Sequence, residues 1–350
     1  MHNYDYSFLK DYMITSKLIG LSNVIYESNA RLRKSIGDNP ELFKKLHDKA
    51  IIESTVSSSR IEGVETSAKR EKELLLNREK PLNHDEEEIS GYKDAIVFVS
   101  EHHDDLKINE QTIKHLHKLL MYYTQDLKGE YKRADNRITA RYQDGSREIL
   151  FEPIPHEQVD INMKKLLVAY NEAVNDSEIN KMLLIPCFII DFLAIHPFQD
   201  GNGRISRLLT LLLLYKQGYD IGKCISYEKM IEDYKWNYYQ EINRSQIGWH
   251  ENSNDYSSFI VFHFQILYRC YGEINRRMND DQNSRKLSKQ KRIEMTIFNS
   301  IIPLSKADIA DALPDVSTTT IEKTLGIMLK EKKIRKIGSY KNARYIKESQ

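Results

Sequence analysis

Cysteine is scarce in this sequence, and its spacing fits neither a disulfide framework nor a zinc site. Cys187, Cys224 and Cys270 are an odd number without a Cys-x-x-Cys pair. Secreted disulfide-rich folds and Cys-rich zinc centres both depend on closely spaced or paired cysteines. The sequence therefore predicts a protein of a reducing compartment, the cytoplasm.

Long hydrophobic runs are also missing. The longest mainly apolar stretch, Met182 to Ile195, is interrupted by Pro186 and Asp191, whereas a membrane-spanning helix needs about 20 apolar residues. The first residues, MHNYDYSFLKDY, lack the basic start and apolar segment of a secretory signal. We therefore expect a buried core helix in this stretch and no membrane partner.

Glycine and proline, which interrupt helices, number only 14 and 8 among 350 residues. Apolar residues recur at helical spacing in most segments, for example in 42–51 and 113–120. Residues 137–142 and 148–151 differ, because they are short extended segments separated by a turn signal at 143–146. The sequence predicts a mainly α protein, a helical bundle with one β-hairpin.

An excess of charge of one sign is absent, since 52 Lys+Arg and 51 Asp+Glu give a net charge of +1. This balance conceals two unlike parts. Residues 284–350 contain 15 basic and 7 acidic residues, whereas residues 1–283 contain 37 and 44. The asymmetry predicts an acidic body with a basic binding module, and the polar segment 279–291 is the predicted linker between them.

The strongest chemical signal is the twelve-residue segment 196–207, HPFQDGNGRISR, between the two most apolar predicted helices. The glycines on either side of Asn202 allow successive backbone N–H groups to point into one anion-binding concavity. The helix that begins near Arg204 adds unpaired N–H groups and the positive end of its dipole. Arg204 and Arg207 would face the same anion, so the segment predicts a phosphate site.

Three further side chains complete the predicted site. Asp200 is a suitable oxygen ligand for Mg²⁺ beside a phosphate. His196, with an ordinary pKa of about 6.5, is able to accept a hydroxyl proton at neutral pH, and Phe198 is predicted to anchor the loop. Taken singly, each feature has a simpler explanation. Such a histidine is more often a packing residue, Gly-Asn-Gly is often a simple turn, and two arginines on a helix usually face solvent. Their combination within twelve residues favours a phosphate site.

The same residues match every fixed position of the Fic-domain motif, His-x-Phe-x-Asp/Glu-Gly-Asn-Gly-Arg-x-x-Arg. The chain resembles Fic-domain proteins over residues 88–270, including the helix around His117, the hairpin and its Pro153-x-Pro155 exit. Members typically transfer AMP from ATP to a Ser, Thr or Tyr hydroxyl of a protein. The resemblance implies a Fic-type helical bundle with a hairpin flap and a protein adenylyltransferase that uses ATP and Mg²⁺.

The resemblance also implies a role for each matched position. His196 would be the general base, and Asp200 would hold Mg²⁺ between the α- and β-phosphates. The positions expected to contact phosphate are Gly201, Asn202, Gly203, Arg204 and Arg207. Tyr238 and Tyr239 resemble an aromatic pair that lines the adenine pocket in several members. The hairpin at 137–151 resembles the flap that holds the target protein as an added strand, and a purely structural hairpin is the alternative.

A second motif lies upstream, in SSSRIEG at residues 57–63, which ends a helix predicted at about 40–63. A Glu in the last turn of a helix meets the negative end of the dipole, so Glu62 favours a cationic partner. On the sequence alone, Arg60 or Lys69 at the surface would serve.

This segment also matches the inhibitory motif of the Fic family, Ser/Thr-x-x-x-Glu-Gly/Asn. Ser58 and Glu62 share one helix face, since they are four residues apart. The resemblance implies that Glu62 pairs with Arg207 and excludes a productive ATP γ-phosphate, so that the chain inhibits itself. In some members the same Glu assists removal of AMP from the target.

The basic carboxyl-terminal module follows the pattern of a helix-turn-helix with a β-wing. A helix at 291–300 precedes a second with Ser305 and Asp308 in a capping box and a third that begins after Ser317 beyond a turn at Pro314. Strands are predicted at 333–337 and 343–347. The pattern resembles a winged-helix domain, which implies binding of DNA or, as the alternative, protein docking or dimerisation.

The predicted organisation has four parts. They are an amino-terminal helical region at 1–87 with the inhibitory helix, a Fic catalytic domain at 88–278, the linker at 279–291 and a winged-helix domain at 292–350. The residues expected to face DNA are Ser317, Thr318, Thr319, Lys323, Lys341 and Arg344.

Two alternatives to an autoinhibited adenylyltransferase stay open: a DNA-binding regulator with a sensory Fic core, and a Fic enzyme with de-AMPylating or other nucleotide or phosphate transfer activity. A homo-oligomer is compatible with either.

Overall fold

The computed structural model of the protein consists of two compact units, Met1–Ile274 and Asn275–Gln350. It describes residues 2–76, 79–141, 147–285, 288–298, 300, 303–313, 315–338 and 343–348. Helices predominate in the described residues, which confirms the predicted mainly α class.

The helices that begin in the first unit are α1 (Ser16–Asp38), α2 (Pro40–Ile61), α3 (Ala68–Leu76), α4 (His84–His102), α5 (Glu110–Leu120), α6 (Val159–Asn175), α7 (Lys181–Ile195), α8 (Asn202–Lys216), α9 (Tyr227–Asp233), α10 (Lys235–Gln246) and α11 (Ser257–Arg285). Short 3-10 turns lie at Ser7–Leu9, His156–Gln158 and Asp220–Lys223. Side chains of Thr15, Asn83, Asn109, Asn180 and Ser226 cap the first turns of five of these helices.

Helices α7 and α8 form the centre of this unit. Every residue of α7 after Lys181 is buried, as is every residue of α8 from Arg204 to Tyr215. A helix that is buried on all sides needs neighbours all round, and α7 packs against α6, α8 and α10. Because the loop 196–201 joins α7 to α8, the polar motif is held in the middle of the unit.

The predicted hairpin consists of β1 (Ile138–Arg141) and β2 (Arg147–Phe151), paired antiparallel with Thr139 opposite Ile149. Phe151 fixes its base, since this buried ring stacks on His250 with 5.3 Å between centroids. The turn predicted at 143–146 lies outside the described residues.

The second unit combines α12 (Lys289–Phe298), α13 (Lys306–Ala312) and α14 (Thr318–Lys330) with the strands β3 (Leu304–Ser305), β4 (Ile334–Ile337) and β5 (Arg344–Lys347). The strands form an antiparallel sheet in the order β3-β5-β4. Ser305 and Asp308 form the predicted capping box of α13, and Ser317 caps α14. Pro314 of the predicted turn and Lys341 of the predicted wing lie outside the described residues.

The segment 279–291 is helical at both ends. Helix α11 continues to Arg285 and α12 begins at Lys289, because NDDQNSRKLSKQK contains neither glycine nor proline to end a helix. The two units divide slightly earlier, between Ile274 and Asn275. Among the helices that the structure describes, none is both long and apolar enough to cross a membrane.

Candidate active site

His196 ends α7 and turns the chain into the motif loop. Its φ of 50° lies in the left-handed region, which costs a residue with a Cβ on the order of 1–2 kcal/mol. Its backbone N–H donates to Phe192 O at 3.0 Å, and its Nδ1 lies 3.3 Å from Leu193 O. Because a carbonyl only accepts, Nδ1 carries the ring proton and Nε2 keeps a free lone pair.

Burial keeps this imidazole neutral. Together with the Lys132 ammonium, burial lowers the pKa of His196 to about 4, although Glu62 and Asp200 act in the opposite direction. The ring is therefore uncharged at pH 7, which is the form that accepts a proton.

An aromatic stack supports the loop from below. Phe198 is fully buried, and its ring lies parallel to that of His117 with 3.8 Å between the centroids. Gly129 N–H donates to His117 Nδ1 at 2.9 Å, so Nε2 carries the proton and donates to Asp200 O at 3.2 Å. The stack thus fixes both Phe198 and the backbone of Asp200.

A short segment before the hairpin holds the other side of the loop. Lys132 N–H donates to Pro197 O at 2.8 Å, and Lys132 Nζ donates to Asn136 Oδ1 at 2.9 Å and to Ile195 O at 3.4 Å. Asn136 Nδ2 donates to Phe198 O at 3.3 Å. Lys132 is 3% exposed, and this burial lowers the pKa of its ammonium to about 8.

The start of α8 is built from the Gly-Asn-Gly sequence. Gly201 precedes the helix with a φ of 79°, and a Cβ there would lie 2.9 Å from Leu120 Cδ2, so only glycine fits. Asn202 uses its side chain within the loop, accepting from Phe198 N–H at 2.9 Å and donating to Phe198 O at 2.8 Å. This leaves the backbone N–H of Asn202, rather than its amide, for an anion.

Arg204 lies between two carboxylates. Its Nη1 donates to Glu88 Oε2 at 2.5 Å and its Nη2 to Asp200 Oδ2 at 3.0 Å. The Arg204 side chain is 3% exposed and that of Asp200 58%. The predicted metal ligand therefore presents its carboxylate to solvent with an arginine on one side.

Arg207 is held by the end of α2. Its Nε donates to Ser58 Oγ at 2.9 Å, its Nη2 donates to Ser58 O at 3.0 Å, and the same Nη2 lies 2.8 Å from Glu62 Oε1. The two surface cations that the sequence also offered to Glu62 have other partners: Arg60 pairs with Glu71, and Lys69 with Glu73.

The Glu62 carboxylate also lies against the start of α8. A Cβ added at Gly203 would collide with Glu62 Oε1. The first N–H groups of a helix lack partners within it and attract anions. A carboxylate of the chain itself therefore occupies the place where the sequence predicts phosphate.

Tyr238 and Tyr239 lie on α10, near the same carboxylate. Tyr239 OH donates to Ile61 O at 3.1 Å, and Tyr238 is buried beside Phe259 and Phe262. Burial raises the pKa of both phenols, and Glu62 adds to this effect in each. The pair therefore adjoins Arg207 of α8.

The structure thus brings Ser58, Glu62, Gly203 and Arg207 into one group and Asp200 and Arg204 into another, with His196 at the opposite end of the loop. Three further residues, Glu88, Lys132 and Asn136, were not identified from the sequence. Glu88 lies in a run of acidic residues and Lys132 in a polar loop, so neither pattern distinguished a buried partner from a surface charge.

The residues present fit a polyphosphate with its metal. In the described part of the chain, Arg204 Nε and Arg207 Nη1 are buried without a hydrogen-bond partner, and buried N–H groups normally have one. The described residues contain no group of three or more His, Cys, Asp or Glu side chains suited to a metal. Asp200 by itself suits Mg²⁺, which takes few protein ligands when phosphates supply others.

Comparison with known proteins finds similarity over part of the chain. Residues 107–214 match the model of the Fic/DOC family. A Fido domain-containing protein of Dictyostelium discoideum is 31% identical over 70 residues, which are 20% of this chain and 49% of that protein. The match thus spans about half the length of this curated relative.

Solved structures share the fold. A Fic family protein from Desulfovibrio desulfuricans, 20% identical, superposes with a TM-score of 0.61 over 97% of this chain and 98% of its own. A Fic domain containing signaling protein from Bacteroides thetaiotaomicron, 24% identical, has a TM-score of 0.59 over 71% of this chain and 92% of its own.

Proposed function

We propose that this chain, whose residues 107–214 match the model of the Fic/DOC family, is an autoinhibited protein adenylyltransferase of the cytoplasm. One observation carries the proposal: the anion site at the start of α8 is complete and holds the carboxylate of Glu62, bonded to Arg207 at 2.8 Å. Because this carboxylate belongs to the chain itself, its movement away from Arg207 would make the site available to a phosphate.

The proposed reaction joins a target hydroxyl to the α-phosphorus of ATP. The hydroxyl oxygen forms the new P–O bond, its proton passes to His196 Nε2, and the bond to pyrophosphate breaks. His196 suits this role because its Nδ1 is fixed on Leu193 O and its neutral ring leaves Nε2 as the acceptor. Phosphate bound nearby would raise the pKa of His196 and strengthen it as a base.

The remaining residues position and neutralise the phosphates. The backbone N–H groups of residues 202 and 203 and the unpaired guanidinium N–H groups of Arg204 and Arg207 supply donors. Asp200 would hold Mg²⁺, whose charge offsets that of the phosphates. Orienting groups of this kind provide most of the catalysis in phosphoryl transfer.

Inhibition follows from the position of Glu62. While its carboxylate bonds to Arg207 and lies at Gly203, a terminal phosphate of ATP would meet a negative charge instead of a free cation. Like charges this close repel strongly at a buried site. The nucleotide therefore binds in an unproductive position until the end of α2 moves.

The hairpin β1–β2 is the proposed holder of the target segment. Its backbone offers hydrogen-bonding groups that pair with an added strand regardless of the target's side chains. The exposed side chains of Ile149 and Leu150 on β2 would contact the target.

Substitution of His196 tests the activity. We expect His196→Ala to abolish transfer of label from [α-³²P]ATP to protein, because His196 Nε2 is the proposed acceptor of the hydroxyl proton. His115→Ala is the matched control, since His115 lies on α5 and stacks edge-on against Phe98. Full labelling by His196→Ala would refute the proposed mechanism, whereas loss in both variants would point to a folding defect.

For the second unit we propose a winged-helix domain that binds DNA through α14. Thr318, Thr319 and Lys323 are exposed on this helix, whereas Arg344 is 3.4 Å from Asp308 and is partly neutralised. A mobility shift that weakens steeply with salt would support DNA. No shift at low salt would indicate protein docking or dimerisation instead.

A further inference from the structure

One short segment of the chain bonds to the backbone on both sides of His196. Hydrogen bonds from Lys132 and Asn136 reach the carbonyls of Ile195, Pro197 and Phe198, at 3.4, 2.8 and 3.3 Å. The two side chains also bond to each other, since Lys132 Nζ donates to Asn136 Oδ1 at 2.9 Å. We call this arrangement the Lys132–Asn136 clip.

The conformation of His196 requires such support. A φ of 50° is unfavourable for a residue with a Cβ and persists only where surrounding contacts determine it. Ile195 O is one of the last carbonyls of α7, which have no partner in the helix. An ammonium at this end also interacts favourably with the helix dipole.

Burial of the Lys132 ammonium costs free energy, because the charge loses its hydration. Its side chain is buried, with a neutral amide and a carbonyl as partners. Among the described residues, Lys132 forms no ion pair with a carboxylate within 4 Å, and the carboxylate that acts on its charge from farther away is that of Asp135. An apolar side chain would fill the same space without this desolvation cost, so packing alone does not account for a lysine here.

We infer that the Lys132–Asn136 clip is a positioning element that fixes the orientation of His196 and keeps its ring uncharged. This inference rests on the proposed function. The charged groups that face His196 are the Lys132 ammonium and the carboxylates of Glu62 and Asp200. Of these three, only Lys132 disfavours the imidazolium.

The clip also joins the catalytic loop to the hairpin. Asp135 accepts from His156 N at 2.7 Å and lies 2.9 Å from His156 Nδ1, so residues 135 and 156 close the base of the hairpin that begins at β1. The clip therefore gives His196 and the proposed target-holding strands a common support.

The test measures transfer from ATP by the full chain in the Glu62→Gly background, where the inhibitory carboxylate is absent. We expect Lys132→Met to lower kcat at least tenfold while the KM for ATP changes less than about twofold, because Lys132 acts through His196 and not on the nucleotide. Loss of the ammonium should also move the acid limb of kcat/KM upward by about one pH unit.

Three further variants separate charge from geometry. Lys132→Arg should keep the acid limb in place, since the charge remains. Asn136→Ala should lower kcat without moving the acid limb, because it loosens the clip and retains Lys132. Lys128→Met is the control, as Lys128 is exposed and bonds to Tyr122 O, and it should behave like the parent.

The outcomes distinguish this inference from the proposed function. Transfer by His196→Ala in the same background would refute both. Loss of transfer in His196→Ala, with unchanged kcat and acid limb in Lys132→Met, would refute the clip alone, as would a rise in KM without a fall in kcat. Should Lys132→Met fail to fold, an unchanged kcat in Asn136→Ala would overturn the inference.

Discussion

Arg204 and Arg207 lie one turn apart on α8, yet the carboxylates that pair with them are built in different ways. Glu88, the partner of Arg204, is 6% exposed, whereas Glu62, the partner of Arg207, is 29% exposed. Glu88 belongs to the body of α4 and also lies 2.9 Å from His84 Nε2. Glu62 is the cap at the very end of α2.

The position along the helix explains this difference. A carboxylate at the carboxyl end of a helix is disfavoured by about 0.3–1 kcal/mol, and the effect fades within one turn, so it acts on Glu62 at the end of α2 and not on Glu88 inside α4. Glu88 is held by both Arg204 and His84, whereas Glu62 depends on Arg207 and is followed by Gly63. The first pair belongs to the architecture of the site, and the second is suited to dissociate.

The largest expected effect follows from breaking the Glu88 pair. Glu88→Ala leaves the Arg204 charge buried with one carboxylate partner, and loss of one member of a buried pair costs about 3–5 kcal/mol of the free energy of unfolding. Thermal and denaturant unfolding would measure it. Glu87→Ala is the control, since Glu87 pairs only loosely with His84 at 3.7 Å. Equal stabilities of the two variants would contradict a structural role for Glu88.

Breaking the Glu62 pair should change activity more than stability. We expect Glu62→Gly to raise auto-modification about tenfold or more, because Arg207 and the start of α8 become available to phosphate and each 1.4 kcal/mol is about tenfold. Incorporation of label from [α-³²P]ATP is the measurement. Glu65→Gly, at an exposed position three residues on, is the control. Equal labelling by Glu62→Gly and the parent would remove the inhibitory role.

The smallest effect is expected at Ser58. Ser58→Ala removes one acceptor from Arg207 Nε but leaves Ser58 O and Glu62 in place, so we expect a loss of about 1 kcal/mol in stability and a severalfold rise in labelling. Ser59→Ala is the matched control, because this equally buried hydroxyl bonds to Thr55 O within α2.

The double variant sharpens the comparison. Ser58 and Glu62 both act on Arg207, so their effects on labelling should be less than additive. Full additivity would indicate that the two residues restrain different parts of the site.

Much of the helical framework follows from local sequence. The apolar stretch 182–195 became α7, Ser305 and Asp308 form a capping box, and residues 138–141 and 147–151 pair as predicted from their extended pattern. These features depend on neighbouring residues along the chain. The helical ends of the polar segment 279–291 did not follow from the sequence, which predicted a linker there. A segment without an apolar period is as compatible with an exposed helix as with a loop.

The sequence by itself determined the chemical groups of the site, because the motif places histidine, aspartate, glycines and two arginines within twelve contiguous residues. Only the tertiary structure decided which partners those groups have. Glu88 and Lys132 are distant from the motif along the chain, and their charges become buried beside it only when α4 and the segment before the hairpin pack against residues 196–207. Burial turns a charge that water would screen into one that sets the state of its neighbour.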